Sequence, residues 1–329
     1  MISESTFTVR GHGVHTAFLE MTHALAVRGD VSVVINKFRR RADITHIHTF
    51  GPYSLLHVWF GSGKKVISVH VVPDSLVGSI AGAKQFYGLA KWYMQHFYGR
   101  ADLLLPVSNM VNDTLHQQLH IKKPTQVLYN TVDMSVYKTA PGDKAVARTA
   151  LNVPDDSQVI VSCGQIQPRK RFDVFCNVAK ALPAVTFIWV GGIPFKHLGA
   201  DYTHMHQLLD TKPANVTVTG VIEHENVKRY LQAADIFFLP SDQENHPMAV
   251  LEAAGVGLPI VVRDIPEYDD TFKNDVMRGE DATFADLIKQ LGSDDTFRKQ
   301  AVQGAADIAA RFDSQAGGER LVKIYRSII

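Results

Sequence analysis

The chain has 329 residues, too long for one ordinary core and suited to two domains of about 150 residues each. Its 34 basic and 33 acidic side chains nearly cancel, so global charge gives no argument for nucleic acid, and attraction to an acidic surface must come from a local patch. Cys163 and Cys176 lie in apolar segments without Cys-x-x-Cys spacing, which argues against a disulfide framework and predicts buried, reduced thiols in a cytosolic compartment. No window is long and apolar enough to span a bilayer, so the chain is read as soluble or peripheral.

Residues 1–5 read as the clipped end of a very short opening strand. Gly11-His12-Gly13 then precedes a helical stripe over 16–28 that Gly29 closes. Strands are predicted at 31–35, 44–48 and 66–71, a helix over 86–98, and further strands at 101–107 and 125–129. Strands alternating with helices imply a parallel sheet. A boundary falls near 130–133, ahead of a stretch of small, charged and turn residues at 138–144. The alternation then repeats, with strands at 159–163, 185–190, 216–220, 235–240 and 259–263 and helices over 172–182 and 227–234.

The most informative stretch is 241–257. The apolar run before it does not alternate, so that strand is buried on both faces, and Pro240 stops it to leave a loop over 241–246. Pro247 suits the first helical position, good helix formers follow from Met248 to Ala254, and Gly255 is the predicted stop. Glu244 thus sits on a loop at a strand's C-terminal end, and Glu252 a turn or more into a helix. The helix amides between them, at Met248 and Ala249, make a positive pole that suits a phosphate. Loop acids are commonly just solvated, and a glutamate near a helix start can simply answer the dipole, so the two acids alone leave both readings open. Upstream, Gly164-Gln-Ile-Gln-Pro-Arg-Lys-Arg171 puts three cations between a strand and a helix, where a diphosphate can be neutralised.

A glutamate, seven residues and a second glutamate, framed as Pro-Ser-x-x-Glu and Leu-Glu-Ala-Ala before Pro-Ile-Val, resembles the motif of family 4 retaining glycosyltransferases. The resemblance implies the GT-B fold: α/β, with two Rossmann-like parallel-sheet domains facing each other across a cleft. It implies an acceptor and membrane-side domain over 1–138, a nucleotide-sugar domain over 139–295, and a helical segment over 296–329 that crosses back to the first domain. By the same resemblance Glu244 contacts hydroxyls of the donor sugar, Glu252 the ribose, Lys170 the diphosphate, Gly13 a donor phosphate and His70 the transferring sugar. The family's usual phosphate clamp is Gly-Arg with Lys-Gly, whereas here Gln165 replaces the arginine and Arg171 the glycine, which leaves Arg169 to take over the lost charge. Longer matches from Val9 and from His70, and Val-Arg-Asp-Ile-Pro-Glu-Tyr from Val262, resemble bacterial synthases that add a second hexose to monohexosyl-diacylglycerol.

For the acceptor, two stripes on helix 86–98 (Leu89, Ala90, Tyr93, Phe97 and Tyr87, Met94, Tyr98) and the basic run 37–41 resemble a seat on an anionic membrane; packing between strands is the competing reading. His46 and His48 share a strand face, but without a third ligand at useful spacing no metal is expected, and the resembled fold holds its leaving diphosphate with amides and cations. The expectation is a retaining, metal-independent hexosyltransferase that needs no cofactor. It would move glucose or galactose from a UDP-sugar to a membrane glycolipid, foremost monoglucosyl-diacylglycerol, at the cytoplasmic face of the cell membrane. A soluble or polysaccharide acceptor, a UDP-sugar 2-epimerase of the same fold, and a non-catalytic binding module remain open at this point.

Overall fold

A computed structural model describes residues 1–7, 13–37, 41–77, 82, 84–193 and 201–329. The first domain is built on three parallel strands, β1 (Ile44–Ile47), β2 (Lys64–Val69) and β3 (Leu103–Pro106), in that spatial order. Single parallel bridges extend it at either side, Ile2 to Ile47 and Thr125 to Leu104. The strand predicted at 31–35 does not form. With little more than Met1 to pair against, that segment makes two hydrogen bonds, Met1 N to Val34 O at 2.9 Å and Asn36 N to Met1 O at 3.0 Å, and no ladder. The strand predicted at 125–129 is reduced to one bridge for a related reason: Leu128 N donates to Pro106 O, but Pro106 has no amide to return.

The second domain carries six parallel strands: β4 (Val159–Cys163), β5 (Thr186–Val190), β6 (Val216–Val218), β7 (Ile236–Leu239), β8 (Ile260–Arg263) and β9 (Met277–Gly279). Their spatial order is β6-β5-β4-β7-β8-β9, so the direction of winding reverses between β4 and β7. The unalternating apolar strands are explained by two cores. Val159, Val161, Phe237, Leu239, Ile260 and Val262 enter one cluster, while Ile160, Phe187, Trp189, Ile236, Phe238 and Val261 enter another on the opposite face.

The chain passes between the domains at two adjacent places. Val132 N donates to Phe312 O at 3.0 Å and Ser314 N to Val132 O at 2.9 Å. The helical segment expected from Thr296 onward is two helices, Asp295–Arg311 and Ser314–Ile328, because Asp313 ends one run and caps the next through Gln315 N. The first packs on the second domain through Ala301, Ala305 and Ile308. The last lies on the first domain, where Leu321, Val322, Ile324 and Tyr325 join Leu25, Val66, Leu103 and Leu105.

Helix Met248–Val256 corrects two expectations. Pro247 is its N-cap, with ψ 120°, and stands outside the first turn. Gly255 does not end it either; Gly257, at φ +86°, does. Gly255 is small for packing, since a β-carbon there would lie 2.8 Å from Tyr137 Cβ.

Candidate functional site

In an open parallel sheet, ligands settle beyond the strand C-termini where the winding reverses. Lys170 follows β4 and Glu244 follows β7, so the two loops flank that point. Gly164, at φ +149°, turns the chain out of β4, and the short helical turn Pro168–Lys170 presents the lysine. Both side chains are buried, and the Lys170 ammonium donates to Glu244 Oε1 in a short contact. Arg169 Nη1 lies 3.6 Å from Glu244 Oε2 and donates to Gln243 O at 3.1 Å.

Burial alone would raise the Glu244 carboxyl, but Lys170 and Arg169 outweigh it and hold the pKa below the usual value. For Lys170 burial lowers the ammonium pKa, and although Glu244 opposes this, Arg169 adds to it as a like charge. Both pKa values are thus lowered, which favours the charged form of Glu244 but the neutral form of Lys170, where burial, with Arg169 as a like charge, outweighs Glu244. The ionised pair is the state consistent with the short contact between Lys170 and Glu244. Arg171, the third cation of the loop, is spent elsewhere: Asp173, Asp242 and Asp281 each lie 3.0 Å from its guanidinium. Arg169 and Lys170 therefore share the charge at Glu244.

Glu252 is buried one turn into helix Met248–Val256, and His224 Nε2 lies 2.8 Å from its Oε1. That hydrogen bond, against the opposing effect of burial, raises the His224 pKa. Tyr137 Oη is 3.4 Å from the same imidazole. From the first domain Glu20 approaches this group; burial, reinforced by the Glu252 charge, raises its pKa even though it accepts the Asp133 amide at 2.8 Å. No motif along the sequence marks His224. It opens helix His224–Ala233, and only the packing of that helix beside Met248–Val256 brings the two together.

Across the cleft, a β-carbon on Gly13 would stand 3.8 Å from Met248 Cγ, so the first-domain helix Gly13–Ala26 begins opposite the start of Met248–Val256, where Ala249 also lies. Gly11 and His12 lie outside the described residues. His70 follows β2, and Asn245, next to Glu244, donates to His70 O at 2.7 Å and approaches Ser75 Oγ at 3.1 Å. Thus Arg169, Lys170 and Glu244 form one cluster, Met248, Ala249 and Glu252 share the following helix, and Gly13 and His70 meet that side from the other domain. His246, two residues after Glu244, turns away into a ring cluster of Tyr129, Phe272 and Phe312 at 4.8–5.6 Å. His46 and His48 do gain a third histidine nearby, His70, but among the described residues no group of three His, Cys, Asp or Glu side chains is arranged to hold a metal ion.

On the outer side of the first domain, helix Tyr87–Tyr98 buries Met94, Phe97 and Tyr98, which splits the two predicted stripes differently. Phe86, Leu89 and Trp92 remain exposed, and the neighbouring helix Pro52–Phe60 adds exposed Leu56, Trp59 (53%) and Phe60 (72%). Tyr93 Oη donates to Phe50 O at 2.5 Å, and the Arg100 guanidinium lies 3.5 Å above the Trp59 ring, so the two helices are neighbours. Lys37 and Arg41 are exposed, whereas residues 38–40 between them lie outside the described ones. No described helix is long and apolar enough to cross a membrane.

Two parallel-sheet domains with a cation-and-carboxylate cluster at the winding reversal of the second define a GT-B glycosyltransferase. The chain belongs to the group 1 and family 4 glycosyltransferases: residues 6–136 match Glycosyltransferase Family 4 and residues 143–307 match Glycosyl transferases group 1. The α-galactosylglucosyldiacylglycerol synthase of Streptococcus pneumoniae is 34% identical over 82% of this chain and 72% of its own. The processive diacylglycerol α-glucosyltransferase of Acholeplasma laidlawii is 27% identical, over 72% of this chain and 71% of its own. Among solved structures, Anabaena HepE in complex with UDP-glucose superposes with a TM-score of 0.80 at 17% identity, covering 99% of this chain and 98% of that one. Sucrose-phosphate synthase from Thermosynechococcus elongatus reaches 0.73 at 18% identity, covering 99% and 81%.

Proposed function

We propose that this glycosyltransferase moves glucose or galactose from a UDP-sugar to a diacylglycerol glycolipid, foremost monoglucosyl-diacylglycerol, with retention at the anomeric carbon and without a metal. The observation that carries the reading is the buried Lys170–Glu244–Arg169 cluster beside a helix N-terminus at the winding reversal. A nucleotide diphosphate arriving there competes for Lys170 and Arg169 and releases Glu244 to accept hydroxyls of the donor sugar. The two cations and the amides of Met248 and Ala249 then stabilise the charge that grows on the leaving diphosphate, which removes the need for a divalent ion. Glu252 takes the ribose hydroxyls, in exchange for or beside His224, while Gly13 and His70 approach the donor phosphate and sugar from the first domain. Retention follows from attack on the face the leaving group occupies, with the diphosphate oxygen taking the acceptor proton; the protein contributes orientation and charge.

The names of the two relatives, both diacylglycerol-linked, support the acceptor. The exposed apolar side chains of two neighbouring helices, Leu56, Trp59 and Phe60 on one and Phe86, Leu89 and Trp92 at the other, support peripheral binding at the cytoplasmic face of an anionic membrane, with Lys37 and Arg41 adding charge. Incubation with a panel of UDP-sugars and either diacylglycerol or monoglucosyl-diacylglycerol in anionic micelles, followed by lipid analysis, tests this. A dihexosyl lipid formed in excess chelator is the expected product. Release of a free or epimerised sugar nucleotide product, or transfer only to water-soluble acceptors, would overturn the reading.

A further inference from the structure

β1 and β2 bring three imidazoles into a buried column beneath the cleft. His46 Nδ1 lies 2.5 Å from Tyr325 Oη of the last helix, and its Nε2 lies 2.9 Å from Ser68 Oγ, so both of its nitrogens are partnered. The ring of His48 packs 4.4 Å from that of His46, and its Nδ1 stands 3.3 Å from His70 Nε2. The other nitrogen of His48, Nε2, is buried without a hydrogen-bond partner; the nearby Phe18 ring makes a T-shaped contact with the imidazole, centroids 5.2 Å apart.

This asymmetry selects one arrangement of protons. Burial, reinforced by the neighbouring His46 and His70, lowers the His48 pKa well below its ordinary value, so the ring is neutral and carries a single proton. A proton on Nε2 would strand a buried N–H donor, which native structures rarely do, whereas a proton on Nδ1 is used at once in the bond to His70. Nε2 of His70 must then accept, and the proton of a neutral His70 ring resides on Nδ1.

We propose that His48 is a positioning residue, whose Nδ1–H holds His70 in its Nδ1–H tautomer and so makes His70 a hydrogen-bond donor toward an oxygen of the donor sugar. The sugar contact rests on the function proposed above; the tautomer does not. Because Asn245 ties the Glu244 loop to the His70 carbonyl, the same strand end is fixed in position from one side and in protonation from the other. In the family motif Glu244 accepts from the sugar, and a donor at His70 complements it.

Long-range ¹H–¹⁵N correlation on the full chain labelled at histidine reads the tautomers directly. His70 is expected to show a protonated Nδ1 and an unprotonated Nε2, and His48 the same. His48→Asn, whose amide N–H stands near the position of Nδ1–H, should keep the His70 pattern, while His48→Leu should release it toward the Nε2–H form. A wild-type His70 or His48 protonated at Nε2 overturns the proposal, and that spectrum needs no variant to fold. In transfer assays His48→Leu should lower kcat by about tenfold with little change in donor KM, His48→Asn should recover most of it, and neither should matter once His70 is Ala. An additive loss in the His70→Ala background overturns the coupling. If transfer to lipid is not found at all, the spectrum still decides the tautomer.

Discussion

The two domains answer the same problem, a parallel sheet that must be covered on both faces, to different depths. The second has six strands between two continuous cores, and its charges at the cleft are paired within about a hydrogen bond's reach. The first has three strands, single-bridge flanks, a column of buried histidines and large apolar side chains left in solvent. On the proposed function the difference separates two kinds of work: neutralising a diphosphate takes preorganised charge on a rigid frame, and a half proposed to meet a lipid surface can leave apolar area uncovered.

The sharpest break of this contrast is within the buried pair. Lys170→Ala or Glu244→Ala should reduce transfer by ~10²–10³-fold or more; Glu244→Ala leaves the buried Lys170 charge unpaired, at a cost of about 3–5 kcal/mol in stability, and Lys170→Ala costs less because Arg169 still faces Glu244. Lys170→Met combined with Glu244→Gln should restore the denaturation midpoint but not transfer. Recovery of activity in that double variant would remove the pair from the donor site.

Acid probes the seam between the domains. His246 is buried among rings from both sides of the crossing, and burial, with the Arg311 charge adding to it, lowers its pKa from 6.5 to about 3. Below the ordinary value the unfolded chain binds a proton that the folded one refuses. Stability should therefore fall as pH drops from 6.5 toward 3, by up to about 1.4 kcal/mol per unit for this residue. Buried His46 and His48 act in the same direction from the first domain. Urea midpoints between pH 7 and 4.5 measure the slope, and His246→Phe should flatten it; an unchanged slope would remove His246 from the account.

Gly255→Ala tests how tightly the second domain is packed against the linker. The added carbon meets Tyr137 at 2.8 Å, so a loss of about 1–3 kcal/mol is expected in thermal or urea unfolding. The smallest effect belongs to the first domain's outer face. Trp59→Ser with Trp92→Ser should leave the fold intact and weaken sedimentation with anionic vesicles by about tenfold, near 1.4 kcal/mol for side chains that are only half exposed. Equal binding by the double variant would place the membrane contact elsewhere.

Legibility from sequence followed the same division. Each second-domain strand expected from the sequence forms, because each is a short apolar or β-branched segment bounded by turn residues. β9, with only Met277-Arg-Gly279, carries too little pattern to be seen. In the first domain the strands expected at 31–35 and 125–129 failed where a neighbouring ladder was too short or was blocked by Pro106, which is a property of the partner and not of the strand. The cluster at Glu244 was legible because its members follow strands; His224 was not, because its partnership with Glu252 is made by two helices packing side by side.

By itself the sequence determined the alternation of strands and helices and the chemical identity of a cation-rich loop and two glutamates. Those depend on local pattern, which each segment carries whatever surrounds it. Only the tertiary structure decided that Arg169 and Lys170 face Glu244 while Arg171 is absorbed by three aspartates. It likewise decided that Trp59 and Trp92 stay outside while Phe97 and Tyr98 go in, and that His48 stands beside His70. Such choices turn on which distant side chain arrives within a few ångströms, and no spacing along the chain encodes that distance.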